Sequence, residues 1–473
     1  MALTLVMKFG GTSVGSAEAI ERAVRIIRVE ATKWERLLVV ASAMSGVTDA
    51  LIQGARTAAA GDDQIYPQVV TDLRRKHVTA IESLLKPGEE QARLLAVIEG
   101  YLTEFATLCH SVYVLGEVTP RAMDAITSLG ERMSVRILAA TLRQQGVQSE
   151  AVDATGVIVT DDTFQSAAPL PEQTRHQVHE RLGPLLQAGI VPVVTGFIGA
   201  TADGVTTTLG RGGSDYSAAI LGDCLNADEV WTWTDVDGVM TADPRLVPDA
   251  RVIPELSYSE VGELAYFGAK VLHPRTIRPV IERGIPLWVK NTFNPDFPGT
   301  RIKQQAEVVT GTVKAVTAIW NMSMVIVEGR GMIGVPGIAA RTFGAVAGQG
   351  ASVLMISQSS SEQSICFVIP TAAVPGVIRA IETEMMLELA RRDVDRIWSM
   401  DDVVIVTAVG AGMRGTPGIA TRLFGALGSE GINIIAIAQG ASEYSISLVI
   451  DAVDAAEAVR QIHAQTIINH GAG

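Results

Sequence analysis

The sequence has few cysteines, few aromatic residues and no surplus of positive charge. Its three cysteines, Cys109, Cys224 and Cys366, are far apart and form no CxxC pair, which argues against a disulfide framework or a cysteine zinc site. A formal net charge of −13 leaves no basic field for nucleic acid or for an anionic membrane. No apolar run reaches the ~18 residues of a membrane span. We therefore expect a globular cytoplasmic protein in a reducing compartment.

The chain is long enough for two or three folding units, with 473 residues of which 48% are apolar. It opens with a strand at 3–9, a helix at 17–30 and a strand at 37–41, which is a βαβ pattern. Helical periodicity and few strand signals predict a helical insertion at about 54–118. Strand-like runs then return, so we predict an α/β domain over 1–303 with a mostly parallel sheet between two helical layers.

An internal repeat follows this first domain. Residues 331–369 align without a gap on 412–450, with 20 identities in 39 positions. Each copy is read as strand, glycine-rich turn, helix, strand, strand and helix, which matches a ferredoxin-like βαββαβ plan. We predict two such units, the first with its linking segment at 304–398 and the second at 399–473. Units of this kind usually sense ligands or associate.

The first motif with chemical potential is Lys8-Phe9-Gly10-Gly11-Thr12, where a strand delivers a lysine to a double glycine before a helix. Glycines let backbone N–H groups approach phosphate oxygens, and the helix N-terminus and Lys8 add positive charge. The same strand, turn and helix also occur in ordinary α/β architecture. No Walker GxxxxGK[ST] loop is present.

The second motif is the glycine-rich segment 207–217, which runs into an alanine-rich helix. Arg211 can hold a carboxylate with two hydrogen bonds, and Asp215 in the first helical turn can orient donors or metal-bound phosphates. The structural alternative makes Asp215 a helix cap and Arg211 a solvated turn residue.

Two further motifs are less specific. Residues 233–238 and 243–245 are dense in Asp and Gly at the predicted end of a strand, where a nucleotide and Arg245 could meet, although such pairs usually form plain turns. Residues 267–274 offer a second lysine, Lys270. The GxGxxG matches at 329–334 and 410–415 do not predict a dinucleotide site, because the following strands end in Gln358 and Gln439 rather than an acid. The histidines show no HExxH motif or clustering, so no structural metal is predicted.

Taken together, KFGGTSVGS, SAMSGVTDAL, GERMS, TLGRGGSDYSA, WTDVDGV and FGAKVLHPRT resemble the aspartate kinase family, in order and through nearly the whole chain. The resemblance implies an amino-acid kinase fold followed by two ACT domains. It also implies the site residues. For ATP these are Lys8, Gly10, Gly11, Ser13, Thr234, Asp235, Arg245 and Lys270. For aspartate they are Ser42, Ala43, Thr48, Glu131, Phe197, Arg211 and Ser214. Lys8, Arg211 and Asp215 would be catalytic, with Glu131 reading the ammonium group.

The resemblance implies transfer of phosphate from ATP, with Mg²⁺ riding on ATP, to the β-carboxylate of L-aspartate. That nucleophile is ionised at neutral pH, from a reference pKa of ~4, so no general base is needed. The product would be 4-phospho-L-aspartate, at the head of lysine, threonine and methionine synthesis. One departure is Met240, where such kinases commonly carry a tyrosine beside the nucleotide.

The ACT pair implies feedback by an end-product amino acid bound at Gln358 and Gln439, with threonine preferred over lysine as the expected effector. Isolated ACT units expose sheet edges, so we expect a homodimer or tetramer through them. A fused homoserine dehydrogenase is not expected, because the chain ends at Gly473 soon after the second repeat. Two alternatives stay open, a kinase for another amino acid such as glutamate and a catalytically silent amino-acid sensor.

Overall fold

The computed structural model describes residues 3–268, 272, 274–333, 335–358 and 363–467. The chain divides into two compact units. The first contains Met1–Val239, Pro254–Tyr258 and Leu272–Ala306; the second contains Met240–Ile253, Ser259–Val271 and Glu307–Gly473. The expected α/β fold with a mostly parallel sheet, followed by ferredoxin-like units, is confirmed, whereas the predicted domain boundaries stay predictions.

An eight-stranded, mostly parallel sheet forms the centre of the first unit. In spatial order its strands are β3 (Ser149–Val152), β5 (Val191–Thr195), β2 (Arg36–Ala41), β1 (Thr4–Phe9), β8 (Glu229–Thr234), β10 (Leu287–Asn291), β11 (Thr300–Lys303) and β9 (Glu255–Ser257). Every residue of β1 is buried, as expected for a central strand covered on both faces. Only β11 and β9 run against the direction of the others.

Nine helices are described in the first unit, and several of them begin at recognisable sequence signals. For example, the hydroxyl of Ser16 accepts a hydrogen bond from Ala19 N at the start of α1 (3.3 Å). The helices are α1 (Ala17–Glu30), α2 (Val47–Ala59), α3 (Ile65–Leu84), α4 (Glu89–Leu115), α5 (Pro120–Gln144), α6 (Pro171–Arg181), α7 (Gly183–Gln187), α8 (Gly213–Leu225) and α10 (Pro274–Arg283). Consecutive α2, α3 and α4 occupy the region predicted as a helical insertion. Among the described residues, no helix has the length and apolarity to cross a bilayer.

A small second sheet lies in the same unit and carries loops that matter below. Its strands are β4 (Val159–Thr160), β6 (Ile198–Thr201) and β7 (Thr206–Thr208). Strand β6 pairs parallel with β4 and antiparallel with β7. Because β7 runs directly into the glycine-rich turn before α8, this sheet sets where that turn begins.

The second unit is built on one six-stranded antiparallel sheet. In spatial order its strands are β13 (Met355–Gln358), β14 (Ser364–Pro370), β12 (Ala315–Glu328), β15 (Arg396–Val409), β17 (Ser445–Asp451) and β16 (Ala436–Gln439). Its helices are α9 (Tyr258–Tyr266), α11 (Ile338–Gly348), α12 (Val374–Glu384), α13 (Met386–Arg391), α14 (Ile419–Gly428) and α15 (Ala455–Thr466).

The two repeats share their long central strands, β12 and β15. Ala315 pairs with Val409 at one end of the β12–β15 ladder, and Glu328 pairs with Arg396 at the other. Midway, the register shifts, and the repeat-equivalent residues Asn321 and Asp402 have φ angles of 61° and 53°. Asn and Asp tolerate this left-handed backbone better than most residues. The first half of β12 therefore extends the sheet of the second repeat, while its second half belongs to the first.

Gly299, between β10 and β11, is a position where backbone conformation and close packing both require glycine. Its φ is +87°, and an added Cβ would overlap the backbone carbonyl oxygen of Val289. We expect Gly299→Ala to lower the free energy of unfolding by at least about 3 kcal/mol, since backbone strain and steric overlap act together. Gly204→Ala is the matched control: φ is +80° there, but nothing lies within 4 Å, so a loss of only about 1 kcal/mol is expected. Equal losses in urea unfolding would contradict the steric argument.

Candidate active site

The site lies at the carboxyl ends of the central strands in the first unit. Strand β1 pairs parallel with β2 on one side and with β8 on the other, placing Lys8 between Val40 and Thr232. The chain builds one half of the sheet outward from β2 and then crosses back to β8. Such a reversal of strand order opens a crevice at the carboxyl edge of the sheet, where ligands usually bind.

The glycine loop after β1 is fixed by hydrogen bonds to the neighbouring strand end. Gly10 N donates to the carbonyl of Trp233 (3.1 Å), and the Ser13 hydroxyl donates to the same oxygen (3.2 Å). Ser13 is fully buried and also accepts from the Thr292 hydroxyl (2.7 Å). The Ser13 hydroxyl and the Gly10 N–H are thus used inside the protein, whereas Gly11 of the same loop faces the cavity.

A cavity of about 520 Å³ opens beside this loop. It brings together ten residues that the sequence singled out: Lys8, Gly11, Ser42, Ala43, Thr48, Glu131, Phe197, Arg211, Ser214 and Asp215. They come from segments up to two hundred residues apart in the chain, so their convergence is a property of the fold.

The other predicted nucleotide residues that the structure describes lie outside the lining of this cavity. Thr234 is the last residue of β8, and its hydroxyl donates to the adjacent Asp235 carboxylate (3.1 Å). Arg245 belongs to the second unit, where its exposed guanidinium pairs with Asp243 (2.6 Å). Lys270 lies outside the described residues.

Two helices begin at the cavity. The N-cap of α2 is Gly46 and that of α8 is Gly212, with φ angles of 78° and 70°. Thr48 and Ser214, in the first turns of these helices, line the cavity. Free N–H groups and the positive end of the helix dipole favour anions at such positions. The cavity is therefore suited to negatively charged ligands despite the acidic chain.

Lys8 and Asp215 form an ion pair at the edge of the cavity. The distance from Lys8 Nζ to Asp215 Oδ1 is 2.8 Å, and the side chains are 10% and 20% exposed. The pair joins the end of β1 to the first turn of α8. An anion entering the cavity could exchange places with the Asp215 carboxylate next to the ammonium group.

Glu131 is a buried carboxylate with one free oxygen. Its Oε1 accepts a hydrogen bond from Ala43 N (3.1 Å), while its Oε2 is buried and has no partner in the described part of the chain. Burial raises the pKa of Glu131 from 4.5 to about 8, and the Ala43 hydrogen bond offsets only part of this effect. A buried acceptor without a donor is costly, so this oxygen fits a ligand that brings a cationic donor.

Two arginines of the cavity wall are without protein partners. Within the described residues, neither the Arg211 guanidinium nor the Arg56 guanidinium forms a hydrogen bond or an ion pair, and both residues are exposed. Each can therefore offer its guanidinium to a carboxylate or phosphate. Phe197 lines the same cavity with φ of +69°, a conformation that costs a bulky residue about 1–3 kcal/mol and is concentrated at functional sites.

Sequence reasoning missed several cavity residues, chiefly Asp124, Gln165 and Arg56. Asp124 lies on α5 seven residues before Glu131, so both project from one face of the helix. The seven-residue spacing of these two acids on one helix was the available signal. Gln165 has φ of +68° in a loop with no motif, and nothing in the sequence marked it.

A smaller cavity of about 310 Å³ lies in the second unit. Gln358, at the end of β13, borders it together with the start of α11. Gln439 is the equivalent residue at the end of β16 and is exposed. Both predicted effector residues are therefore placed at strand ends of the repeated unit.

Two family profiles and several known sequences match this chain. The profile of the amino acid kinase family matches residues 4–291, and that of the ACT domain matches residues 325–385 and 406–465. The chain is 38% identical over 468 residues to the chloroplastic bifunctional aspartokinase/homoserine dehydrogenase 1 of Zea mays, covering 98% of this chain and 50% of that protein. It is 34% identical to the chloroplastic aspartokinase 2 of Arabidopsis thaliana, covering 98% and 84%. The chain spans about half the length of the first of these relatives.

Solved structures agree with the sequence comparison. Aspartokinase III of E. coli, in complex with aspartate and ADP, is 31% identical with a TM-score of 0.80, covering 98% of this chain and 99% of that one. The same enzyme with lysine and aspartate gives 30% identity and a TM-score of 0.79, with the same coverage.

Proposed function

The chain belongs to the aspartokinase branch of the amino acid kinase family, and on that premise we propose that it transfers a phosphoryl group from ATP to the β-carboxylate of L-aspartate. The product is 4-phospho-L-aspartate, a precursor for lysine, threonine and methionine. Support comes from the family, from the E. coli relative solved with aspartate and ADP, and from the charges of the cavity.

The observation that carries this proposal is the set of charged groups that meet in one cavity. Glu131 presents a buried acceptor oxygen, and Arg211 presents an unpaired guanidinium. The Lys8 ammonium, beside Asp215, is a second cationic group. An amino acid with a second carboxylate has one ammonium and two anionic groups, which is the complement of this set. In our proposal Glu131 holds the ammonium group and Arg211 holds the α-carboxylate.

The remaining cavity residues are assigned by position. Ser42, Ala43, Thr48, Phe197 and Ser214 surround the substrate. Lys8 neutralises the transferring phosphate together with the backbone of Gly11. Gly10, whose N–H donates to Trp233, and the buried hydroxyl of Ser13 hold that loop in place beside the phosphates. Thr234 and Asp235 belong to the ATP site in this proposal, and the roles of Arg245 and Lys270 as further ATP residues rest on the resemblance to the family alone.

The chemistry needs positioning and charge neutralisation more than proton transfer. An ionised carboxylate attacks phosphorus directly, so the protein must hold two anions in line and reduce their repulsion. The helix N-termini at Gly46 and Gly212 and the Lys8 ammonium provide that field. Mg²⁺ enters with ATP in our proposal; Asp215, a partly exposed carboxylate in the cavity, fits its need for one or two carboxylates plus phosphate oxygens.

A hydroxamate assay tests the function. The protein is incubated with ATP, Mg²⁺, hydroxylamine and either aspartate or glutamate, and the amino-acid hydroxamate is measured. Aspartate hydroxamate alone supports the proposal. Glutamate hydroxamate alone would instead support a different amino-acid kinase, and absence of both would support a silent sensor.

We also propose feedback inhibition through the ACT domains, with threonine as the effector ahead of lysine. The duplicated unit and its cavity at Gln358 support an amino-acid site, because a side-chain amide can meet both polar ends of an amino acid. The E. coli relative was solved with lysine, so lysine is the competing effector.

Substitution at the first repeat tests this regulation. We expect Gln358→Ala to raise the threonine concentration for half-inhibition about five- to thirtyfold, since one amide contributes one or two hydrogen bonds of ~1 kcal/mol each. Activity without threonine should stay within about twofold. Gln363→Ala is the matched control, a glutamine of the same repeat outside the cavity. Equal activity of the wild type without threonine and at millimolar threonine would refute threonine as the effector. Lysine would then be tested in the same assay.

Assembly and location complete the proposal. Strands β13 and β16 are the two edges of the six-stranded sheet, and repeat-equivalent Ile356 and Ile437 are about half exposed on them. We propose that these edges join copies of the chain into a dimer or tetramer. A monomer mass by light scattering would contradict this assembly.

A cytoplasmic location is proposed because the three cysteines are free thiols, whereas the plant relatives are chloroplastic.

A further inference from the structure

Asp124 is a buried carboxylate that the reaction chemistry leaves without a task. It is 1% exposed, lines the large cavity and lies on the same face of α5 as Glu131. Burying a carboxylate is costly unless hydrogen bonds compensate for lost water. The hydrogen bonds that compensate for this burial indicate what the Asp124 carboxylate does.

In the part of the chain that the structure describes, the Asp124 carboxylate accepts hydrogen bonds from two segments far away in the sequence. Its Oδ2 accepts from Thr208 N (2.9 Å) and from Gln165 N (2.9 Å), and its Oδ1 accepts from the Thr208 hydroxyl (2.8 Å). Thr208 is the last residue of β7, and Gln165 belongs to the loop after β4. One side chain thus clamps two loops to the central helix.

The two clamped segments also contact each other. Ala167 N donates to the carbonyl of Thr208 (2.9 Å), and an added Cβ on Gly210 would lie 3.1 Å from the Gln165 carbonyl oxygen. Gln165 itself is held in a left-handed conformation with φ of +68°. A strained residue persists only where its surroundings hold it, and Asp124 supplies the hydrogen bond to its N–H.

The turn that follows Thr208 carries Arg211. No hydrogen bond or ion pair from any described residue fixes the Arg211 guanidinium, so its direction depends on the backbone of residues 208–212. Asp124 fixes the start of this turn through Thr208 and supports its outer side through Gln165. Asp124→Asn would keep the shape of the side chain but would leave it one acceptor oxygen instead of two for the three donors of Thr208 and Gln165.

We propose that Asp124 is a positioning residue that aims Arg211 at the α-carboxylate of the substrate. This inference rests on the proposed function, because it assigns Arg211 that ligand group. Asp124 itself does not touch the reacting atoms. Its effect should therefore appear in the binding of the amino acid and should disappear once Arg211 is gone.

A double-mutant cycle tests the assignment. We expect Asp124→Asn to raise the KM for aspartate about thirtyfold, with kcat lowered less and the KM for ATP within about twofold, because the same contact serves ground and transition states. In an Arg211→Ala background, Asp124→Asn should add less than about a threefold further loss. Losses that multiply would overturn the proposal.

The matched control is Asp153→Asn. Asp153 lies in the same unit, pairs with Arg132 (2.7 Å) and accepts from the Thr155 hydroxyl (2.7 Å), yet it is not part of the cavity. Asp153→Asn removes the same charge as Asp124→Asn. An equal rise in the KM for aspartate would therefore show a general effect of losing one carboxylate from this unit and would overturn the proposal. If Asp124→Asn does not fold, Thr208→Val removes only the hydroxyl hydrogen bond and should raise the same KM severalfold; an unchanged KM would count against the proposal.

A measurement without substrate separates this inference from the proposed function. Amide hydrogen exchange at residues 208–212 should be at least about tenfold faster in Asp124→Asn than in the wild type, while exchange in α5 stays the same. Unchanged exchange at 208–212 would overturn the clamp even in an active kinase. Faster exchange in a protein that phosphorylates no aspartate would instead refute the proposed function and leave the clamp supported.

Discussion

Lys8→Ala is expected to lower kcat at least about a thousandfold. The change removes the ammonium group that stands 2.8 Å from Asp215 at the end of the central strand. In our proposal this group neutralises charge on the transferring phosphate, and loss of one such group typically costs 10²–10³-fold or more. The measurement is the rate of aspartate hydroxamate formation at saturating ATP and aspartate.

The fold should survive this substitution. The two side chains remain partly exposed, so the unpaired Asp215 can gain water, and we expect a loss of roughly 1–3 kcal/mol in unfolding free energy. Lys303→Ala is the matched control, because Lys303 forms an ion pair of the same length with Glu255 at the far edge of the same sheet. Its activity should stay within about twofold of the wild type. A Lys8→Ala protein that keeps a tenth of the activity would remove Lys8 from the catalytic role.

Eight of the ten predicted residues that line the cavity lie in contiguous motifs where a strand, a glycine turn and a helix follow each other, as around Lys8 and Arg211. The other two, Glu131 inside α5 and Phe197 between β5 and β6, were implied only by the resemblance to the family. Parallel strands bring their carboxyl ends to one edge of a sheet, so such motifs converge there whatever the loop lengths between them. Ten predicted residues consequently meet in one cavity.

Residues whose role depends on distant contacts could not be predicted in this way. Asp124 acts on Thr208, 84 positions away, and Gln165 is held in an unusual backbone conformation by that same carboxylate. Ser13 shows the reverse case. Its motif suggested phosphate, but its hydroxyl is consumed by Trp233 and Thr292, which the sequence places more than two hundred residues later.

The repeat allowed the fold of the second unit to be predicted, except for how its halves combine. Equal spacing of the two copies implies equal elements, and β12 and β15 indeed have the same length. The exchange of strand halves depends on left-handed residues at Asn321 and Asp402. A single Asn or Asp in a strand pattern has many other uses, so sequence could not reveal this exchange.

Glu131→Gln is expected to lower kcat/KM for aspartate at least about a hundredfold at pH 8. Gln can keep the hydrogen bond from Ala43 N but cannot pair with an ammonium group, and loss of a buried charge partner costs about 2–5 kcal/mol. The wild type should also lose kcat/KM as the pH falls below 8, approaching about tenfold per unit, because the protonated form must give up its proton before the ammonium binds. The variant should show no such dependence between pH 6 and 8.

Stability should respond in the opposite direction to activity. The folded pKa of Glu131, about 8, lies above its ordinary value of 4.5, so between these values the folded state holds more protons than the unfolded state. The free energy of unfolding therefore falls as the pH rises through this range. Glu131→Gln removes this loss, and without ligands it should melt above the wild type at pH 8 by at least ~2 °C, with no difference near pH 5.

Glu30→Gln separates this effect from a general gain on neutralising a glutamate. Glu30 is also buried, but its carboxylate already pairs with Lys33 (2.7 Å) and with the Trp34 indole N–H (3.2 Å). Neutralising it should lower stability and leave kcat/KM unchanged. If both variants were stabilised alike, the free oxygen of Glu131 would not be the cause. If only Glu131→Gln is stabilised while it loses activity, the carboxylate is kept at a cost to the fold because the substrate supplies its missing partner.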